Sequence, residues 1–138
     1  MTRSEAIAFA SEGTRTGKLA TVRADGRPHV VPIWFVIDGD DVVFTTWHRS
    51  VKALSLARDS RAALAVDLEE PPYAYVLVEG TVTMSEDPMQ LREFATRIGG
   101  RYMGEPRAEE FGARNAVPGE LLVRLHIENI VAADDVSG

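Results

Sequence analysis

The chain has 138 residues, of which 45% are hydrophobic and 26% charged, the composition of one soluble globular domain. Its net charge is −6 and its basic residues are scattered, which argues against nucleic acid as a partner. Cysteine is absent, which excludes disulfides and thiolate chemistry and favours a cytoplasmic location. No apolar run approaches the roughly 20 residues of a membrane span. We therefore expect a single domain over residues 1–138 and no membrane association.

The first part of the chain predicts a short helix and then strands in meander order. Residues 2–12 suit the helix, which Gly13 ends. Asp-Gly dipeptides, which favour tight hairpin turns, separate the strands. The strands are predicted over 17–24, 27–37 and 41–46. The run from His29 to Ile37 is almost continuously apolar, as expected of a strand covered on both faces, although Pro32 removes one hydrogen-bond donor.

The rest of the chain predicts two clear helices and three more strands. Ser50 is a candidate N-cap for a helix to Ala57, and Asp87-Pro88 begins the longest helix, with a looser helical segment at 106–115. The strands are predicted over 61–68, 73–84 and 121–128. In the middle one, Tyr73 and Tyr75 lie on the face opposite the core, which suits an interface or a ligand wall. Six short strands joined by hairpins predict a mainly β fold, an antiparallel barrel with peripheral helices.

The segment from Phe44 to Lys52 predicts a phosphate site. A strand ends in Thr45 and Thr46 and leads to the N-terminus of a helix with a cation in its first turn. A phosphate binds unpaired backbone amides, the positive end of a helix dipole and a cation. A second interpretation stays open, in which Ser50 only caps its helix and Lys52 is a solvated surface residue.

Other catalytic motifs are missing. The three histidines have no partner at metal-ligand spacing, so we expect no metal site, although His29 between two prolines is a candidate pocket residue. No serine lies in a nucleophile elbow, and no glycine-rich loop follows a strand. Hydrolase and Rossmann functions are therefore not supported.

Four segments together resemble a known family. They are GKLATVRADGRPHVVPIWFVIDGDDVVFTTWHRSVKALSLARDSRAALAVD, PPYAYVLVEGTV, RYMG and GARNAVPGELLVRL. Their order and spacing are similar to those of the small flavin and deazaflavin oxidoreductases of the pyridoxamine-phosphate-oxidase-like superfamily. The resemblance implies a six-stranded antiparallel split β-barrel of the FMN-binding type. It also implies a homodimer with two cofactors in the grooves between protomers.

The resemblance also implies cofactor contacts. The phosphate would be bound by Ser50 and Lys52 at the helix N-terminus, with Arg49 or His48 as a further donor. The ring and its side chain would be flanked by residues of two strands: His29, Pro32, Ile33, Thr45 and Thr46. The partner subunit would supply Tyr73 and Tyr75, and the anionic tail of a longer cofactor would contact Arg101 and Arg114.

The closest resemblance is to members that use F420, a deazaflavin that transfers hydride to a small conjugated organic substrate. FMN is the alternative cofactor, in an oxidase or reductase with the same barrel. A non-catalytic module that binds flavin or haem is a third hypothesis. The chain is much shorter than true pyridoxamine-phosphate oxidases and shows no match to their C-terminal substrate segment, so we do not expect it to oxidise vitamin B6. No catalytic residue is assigned, because the cofactor carries the chemistry.

Overall fold

The computed structural model describes residues 1–138 and contains one seven-stranded sheet in which every neighbouring pair is antiparallel. The strand order is β2-β1-β5-β6-β7-β4-β3. The strands are β1 (Gly17–Val22), β2 (Pro28–Ile33), β3 (Val36–Asp38), β4 (Asp41–Trp47), β5 (Arg61–Asp67), β6 (Tyr75–Ser85) and β7 (Glu120–Ala133). The helices are α1 (Arg3–Ser11), α2 (Val51–Arg58), α3 (Pro88–Met103) and α4 (Ala108–Asn115), with a 3₁₀ turn at Glu105–Arg107.

The sheet curls around a single large hydrophobic core. Alternation along each strand directs every second side chain inward, and six strands contribute to one cluster. Among its members, Leu19, Phe44, Leu64, Val78 and Leu125 are at most 2% exposed. The outermost strands, β2 and β3, leave the barrel split. The predicted mainly β barrel with peripheral helices is confirmed.

The strand count differs from the prediction because the segment 27–37 is two strands. The chain bends at Trp34 and Phe35, where Trp34 stacks on Tyr102 of α3 with ring centroids 5.0 Å apart. The Phe35 amide donates to the Tyr102 hydroxyl at 3.2 Å, and Arg101 donates to the Phe35 carbonyl at 2.7 Å. Side chains of α3 thus replace a neighbouring strand as hydrogen-bond partners. Within one chain the strand β2 is covered on one face only, since Val30 on the other face is 67% exposed.

The helices predicted at 2–12, 50–57 and from residue 87 are confirmed, and the looser segment at 106–115 contains α4. The last strand is longer than predicted, because β7 pairs with β4 over its first half and with β6 over nearly all of its length. A bulge beside Gly80 permits this pairing, since a Cβ there would lie 1.8 Å from the His126 carbonyl oxygen. No helix combines the length and apolar character that a membrane crossing requires.

Candidate functional site

The turn from β4 into α2, residues 46–52, forms the β4–α2 corner. Ser50 is the N-cap of α2, because its hydroxyl accepts a hydrogen bond from the Ala53 amide at 3.1 Å. The Thr46 and Ser50 hydroxyl oxygens are 2.8 Å apart, and Thr46 is almost fully buried. The predicted cap is confirmed. These bonds fix the direction in which α2 begins.

The beginning of α2 offers hydrogen-bond donors that the fold does not use. The Val51 and Lys52 amides occupy the first two helical positions, where no intrahelical acceptor exists. Lys52 is half-buried and makes no ion pair, and burial lowers the pKa of its ammonium group while Glu120 opposes that shift. The helix dipole adds positive potential at the same point. An anion bound here would satisfy both amides and the ammonium group.

Further cations surround α2. Arg23, Arg49 and Arg58 also make no ion pair, whereas most other arginines of the chain are paired with a carboxylate. Arg58 donates to the Val22 carbonyl and so attaches the end of α2 to β1. A cavity of about 270 Å³ lies against the helix and is lined by Arg23, Ala24, Val51, Leu54, Ser55 and Arg58. This side of an otherwise acidic protein is therefore positively charged.

Three buried polar atoms near this helix have no hydrogen-bond partner: Thr21 Oγ1, Arg23 Nε and His29 Nδ1. Thr21 and His29 are opposite each other in the β1–β2 pair, and Thr21 is only 3% exposed. Buried polar atoms are rarely left unpaired, so these positions suit a polar ligand or water. Thr21 and Arg23 were not predicted from the sequence. The signal for Thr21 was a hydroxyl at an inward position, two residues after the core residue Leu19.

The predicted ring contacts lie on opposite faces of their strands. Alternation along β2 turns His29 and Ile33 inward and Pro32 outward, and Ile33 is part of the core at 7% exposure. In β4, Thr46 points inward while Thr45 points to the other face. The residues expected along the ring and its side chain therefore lie on both faces of these strands, and their contact with a cofactor stays a prediction.

His48 and Arg49 complete the turn. The His48 amide donates to the Gly119 carbonyl at 2.9 Å, and His48 Nδ1 lies 3.0 Å from the same oxygen. The His48 ring packs against Trp47 at 4.7 Å, while Arg49 is exposed. His48 therefore ties the corner to the start of β7. A cavity of about 370 Å³ lies beside this point and is lined by Glu86, Pro88, Leu91 and residues 116–120.

Tyr73 and Tyr75 lie far from the corner of their own protomer. Tyr73 precedes β6 with a φ of +59°, and both rings line a cavity of about 630 Å³ with Lys18, Ala65, Asp67, Leu68, Glu69 and Val136. Tyr75 pairs with Ala133, the last residue of β7, whereas Trp47 of the corner pairs with Glu120, the first residue of that strand. The 14 residues of β7 correspond to about 40 Å along the strand. One protomer thus does not bring these tyrosines to its own corner.

Arg101 has a different environment from the one predicted. Its guanidinium donates to the carbonyls of Ala10 at 2.9 Å, Gly13 at 3.0 Å and Phe35 at 2.7 Å. These bonds join α1, α3 and the β2–β3 bend, so its donors are not available to a cofactor tail. Arg114 is 5.3 Å from the centre of the Phe111 ring, away from the corner. No group of three His, Cys, Asp or Glu side chains is placed to hold a metal ion.

The curled sheet with peripheral helices is a split barrel, a fold shared with many solved structures. The chain belongs to the pyridoxamine 5'-phosphate oxidase family, whose sequence profile matches residues 4–132. A search of curated proteins found no match.

Three solved structures illustrate the range of relatives. A conserved hypothetical protein of Mycobacterium tuberculosis is 25% identical with a TM-score of 0.82, over 97% of this chain and 85% of the other. An F420 reductase is 27% identical with a TM-score of 0.71, over 90% of this chain and 94% of the other. The haem storage protein HutZ of Vibrio cholerae, at 22% identity and a TM-score of 0.72 over 94% and 92%, shows the fold alone.

Proposed function

We propose that this protein is an F420-dependent oxidoreductase that works as a homodimer in the cytoplasm and transfers hydride between the deazaflavin and a small conjugated organic substrate. The observation that carries this proposal is the β4–α2 corner, where the first turn of a fixed helix N-terminus has two free amides and a half-buried lysine without an ion pair. The 27% identity to an F420 reductase over nearly its whole length favours this cofactor.

The chain's own residues supply binding and orientation. The Val51 and Lys52 amides and the Lys52 ammonium group would hold the cofactor phosphate, with Ser50 keeping one further hydrogen-bonding position. Arg23 and Arg58 would attract the anionic tail. When bound, F420 supplies the two-electron hydride chemistry. Thr21 Oγ1 and His29 Nδ1 have no hydrogen-bond partner, so a polar edge of the cofactor or an ordered water would bind there.

A homodimer is supported by a partly apolar sheet face that the chain's helices leave open. Pro32, Lys18, Ala65, Leu77 and Val131 form one row across it by register. Val131 is 44% exposed, and Val30 in the next row is 67% exposed. A second copy covering this face would bring its tyrosines toward the first copy's corner, because a two-fold axis reverses the direction of the sheet.

The test is a titration of purified protein with F420 and, separately, with FMN, followed by fluorescence. Micromolar binding of F420 with weaker binding of FMN is expected. FMN is the second candidate, favoured by the family match over residues 4–132, and preferential FMN binding would replace F420 in the proposal. Binding of neither compound, with haem bound instead, would contradict both.

A further inference from the structure

We propose that Thr83 is a nucleophile that accepts an acyl group from an activated ester, with His126 as its general base and Asp41 as the carboxylate that orients His126. These side chains belong to β6, β7 and β4 and lie on the sheet face opposite the core. Asp41 and Trp47 are the first and last residues of β4, so this site is about 20 Å from the β4–α2 corner. It is therefore separate from the proposed cofactor site.

Hydrogen bonds join the three side chains in one line. His126 Nδ1 is 2.7 Å from Asp41 Oδ1, and His126 Nε2 is 3.1 Å from Thr83 Oγ1. The same order of carboxylate, imidazole and hydroxyl group activates the nucleophile of serine proteases. Strand pairing produces it here, because His126 is opposite both Asp41 of β4 and Thr81 of β6, two residues before Thr83.

The carboxylate decides which imidazole nitrogen carries the proton. Ionised Asp41 can only accept a hydrogen bond, so Nδ1 of neutral His126 donates to it and Nε2 keeps a free electron pair. The Thr83 hydroxyl group must then donate to Nε2, as general-base activation of a hydroxyl group requires. Arg124 holds the carboxylate from its other side, at 3.2 Å from Asp41 Oδ2 and 3.1 Å from Asp38 Oδ2.

Exposure increases from the carboxylate to the hydroxyl group. The side chain of Asp41 is 20% exposed and that of His126 is 42% exposed, while Thr83 is an exposed residue. Thr83 is also six residues along β6 from Leu77, about 20 Å, so a second copy on the open sheet face does not have to cover it. Solvent weakens the stabilisation of an oxyanion at so open a site. The acyl donor must therefore have a good leaving group, as a thioester or an aryl ester does.

The acyl transfer balances without a cofactor. Thr83 Oγ1 attacks the carbonyl carbon of the ester, and the hydroxyl proton moves to His126 Nε2. The bond between the carbonyl carbon and the leaving group then breaks, and the leaving group takes the proton from His126. The products are an ester on Thr83 and a free thiol or phenol. Attack by water, with His126 again as the base, would release the carboxylic acid and restore Thr83.

The experiment treats the full chain with p-nitrophenyl acetate, follows the release of p-nitrophenol and locates the acetyl group by peptide mass spectrometry. Hydroxylamine cleaves an ester but not an amide, so it separates acetylation of Thr83 from acetylation of Lys18 or Lys52. Thr83 should carry the hydroxylamine-sensitive acetyl group. Thr81 is the matched control within the chain, because it is on the same face of β6 and its hydroxyl group donates to Glu128 at 2.9 Å instead of to an imidazole.

Substitutions test the role of each side chain. His126→Gln should slow the acetylation of Thr83 by about 100-fold, because it removes the general base. Asp41→Asn should slow it by about 100-fold or more, because an amide that donates to Nδ1 favours the tautomer in which Nε2 carries the proton. Thr83→Ser keeps the hydroxyl group and should remain reactive, whereas Thr83→Ala should lose the hydroxylamine-sensitive acetyl group.

Three results would overturn the proposal. Equal acetylation of Thr81 and Thr83, or no acetylation of Thr83, would show that its hydroxyl group is not activated. A wild-type rate in His126→Gln would show that the hydrogen bonds only cross-link the strands. Release of p-nitrophenol by Thr83→Ala at the wild-type rate would show that another group is the nucleophile. None of these measurements uses F420 or FMN, so they are independent of the proposed function.

Discussion

At the scale of single residues, Lys52 allows the most direct test of the phosphate site. Lys52→Ala removes a charge-assisted contact and should weaken F420 binding by about 1.5–3 kcal/mol. Arg92→Ala is the control, because it removes one positive charge from an exposed position on α3. Fluorescence titration of both variants measures the effect. Equal affinities of Lys52→Ala and wild type would show that the phosphate binds elsewhere.

Asp59, at the end of α2, has a carboxylate that stays charged in acid. The Arg61 side chain donates to its two oxygens at 3.0 and 2.7 Å, and with the Arg61 amide it lowers the pKa of Asp59 to about 2. The unfolded chain, with an ordinary value of 3.8, binds a proton earlier as the pH falls. The stability from this pair is therefore complete above pH 4 and is lost as the pH falls through about 2.

The corresponding prediction concerns urea unfolding between pH 4 and pH 2. The wild-type midpoint should fall more steeply than that of Asp59→Asn, which has no carboxylate to protonate. A carbon NMR titration of the Asp59 carboxyl group should give a midpoint near 2. A midpoint near 3.8, or parallel midpoints for the two proteins, would mean that Arg61 does not hold this carboxylate in solution.

Residue types alone indicated which side chains could bind an anion, but not which were available. Ser50 and Lys52 were predictable because a cap and a cation in the first turn of a helix are local features. Arg101 was not, since the carbonyls of Ala10 and Phe35 that bind it are more than 60 residues away along the chain. Thr21 was missed because only the pairing of β1 with β2 brings it opposite His29.

At the scale of elements, the connection between β7 and the corner depends on Gly119. Its φ of +98° disfavours other residues, and an added Cβ would lie 2.4 Å from the Trp47 ring. Gly119→Ala should lower the free energy of unfolding by more than Gly26→Ala, which has a φ of +87° but open space around it. The control substitution should cost about 1–2 kcal/mol through the backbone alone. Urea denaturation of both variants measures the two losses in free energy of unfolding. Equal losses would show that Trp47 does not resist the added methyl group.

The elements themselves were largely predictable, because the hydrophobic periods and the Asp-Gly turns are local signals. The failure at 27–37 has a specific cause. A continuous apolar run does not reveal that Trp34 leaves the strand to stack on Tyr102, since the partner is on α3. The ring contacts that the resemblance implied combined both faces of β2. The period-two alternation of a strand already places His29 and Ile33 on one face and Pro32 on the other, so the sequence alone could have separated them.

At the scale of the whole molecule, the proposed cofactor site would need residues from two protomers. The corner and the tyrosine cavity are at opposite ends of β7, about 40 Å apart along that strand. A two-fold axis through the exposed face would pair each corner with the partner's tyrosines and form two equivalent sites. Neither site would then depend on residues of one chain alone.

This arrangement predicts complementation between two inactive variants. Lys52→Ala lacks the phosphate contact, and Tyr73→Ala/Tyr75→Ala lacks the aromatic wall, so each should bind F420 weakly by itself. Unfolding and refolding an equal mixture yields mixed dimers in which one site has both defects and the other has none. About one quarter of all sites should then bind with wild-type affinity, as expected for random pairing in a symmetric dimer.

The mixture is compared with each variant refolded alone, and native mass spectrometry measures the fraction of mixed dimers. Recovery of tight sites in proportion to that fraction would mean that the tyrosines act across the interface. If mixed dimers form without recovering tight sites, the lysine and the tyrosines do not serve one intersubunit site. If Tyr73→Ala/Tyr75→Ala binds F420 as tightly as wild type, the rings do not contribute to binding. If the chain does not dimerise, the proposed two-fold arrangement is wrong and the open sheet face is left to another partner.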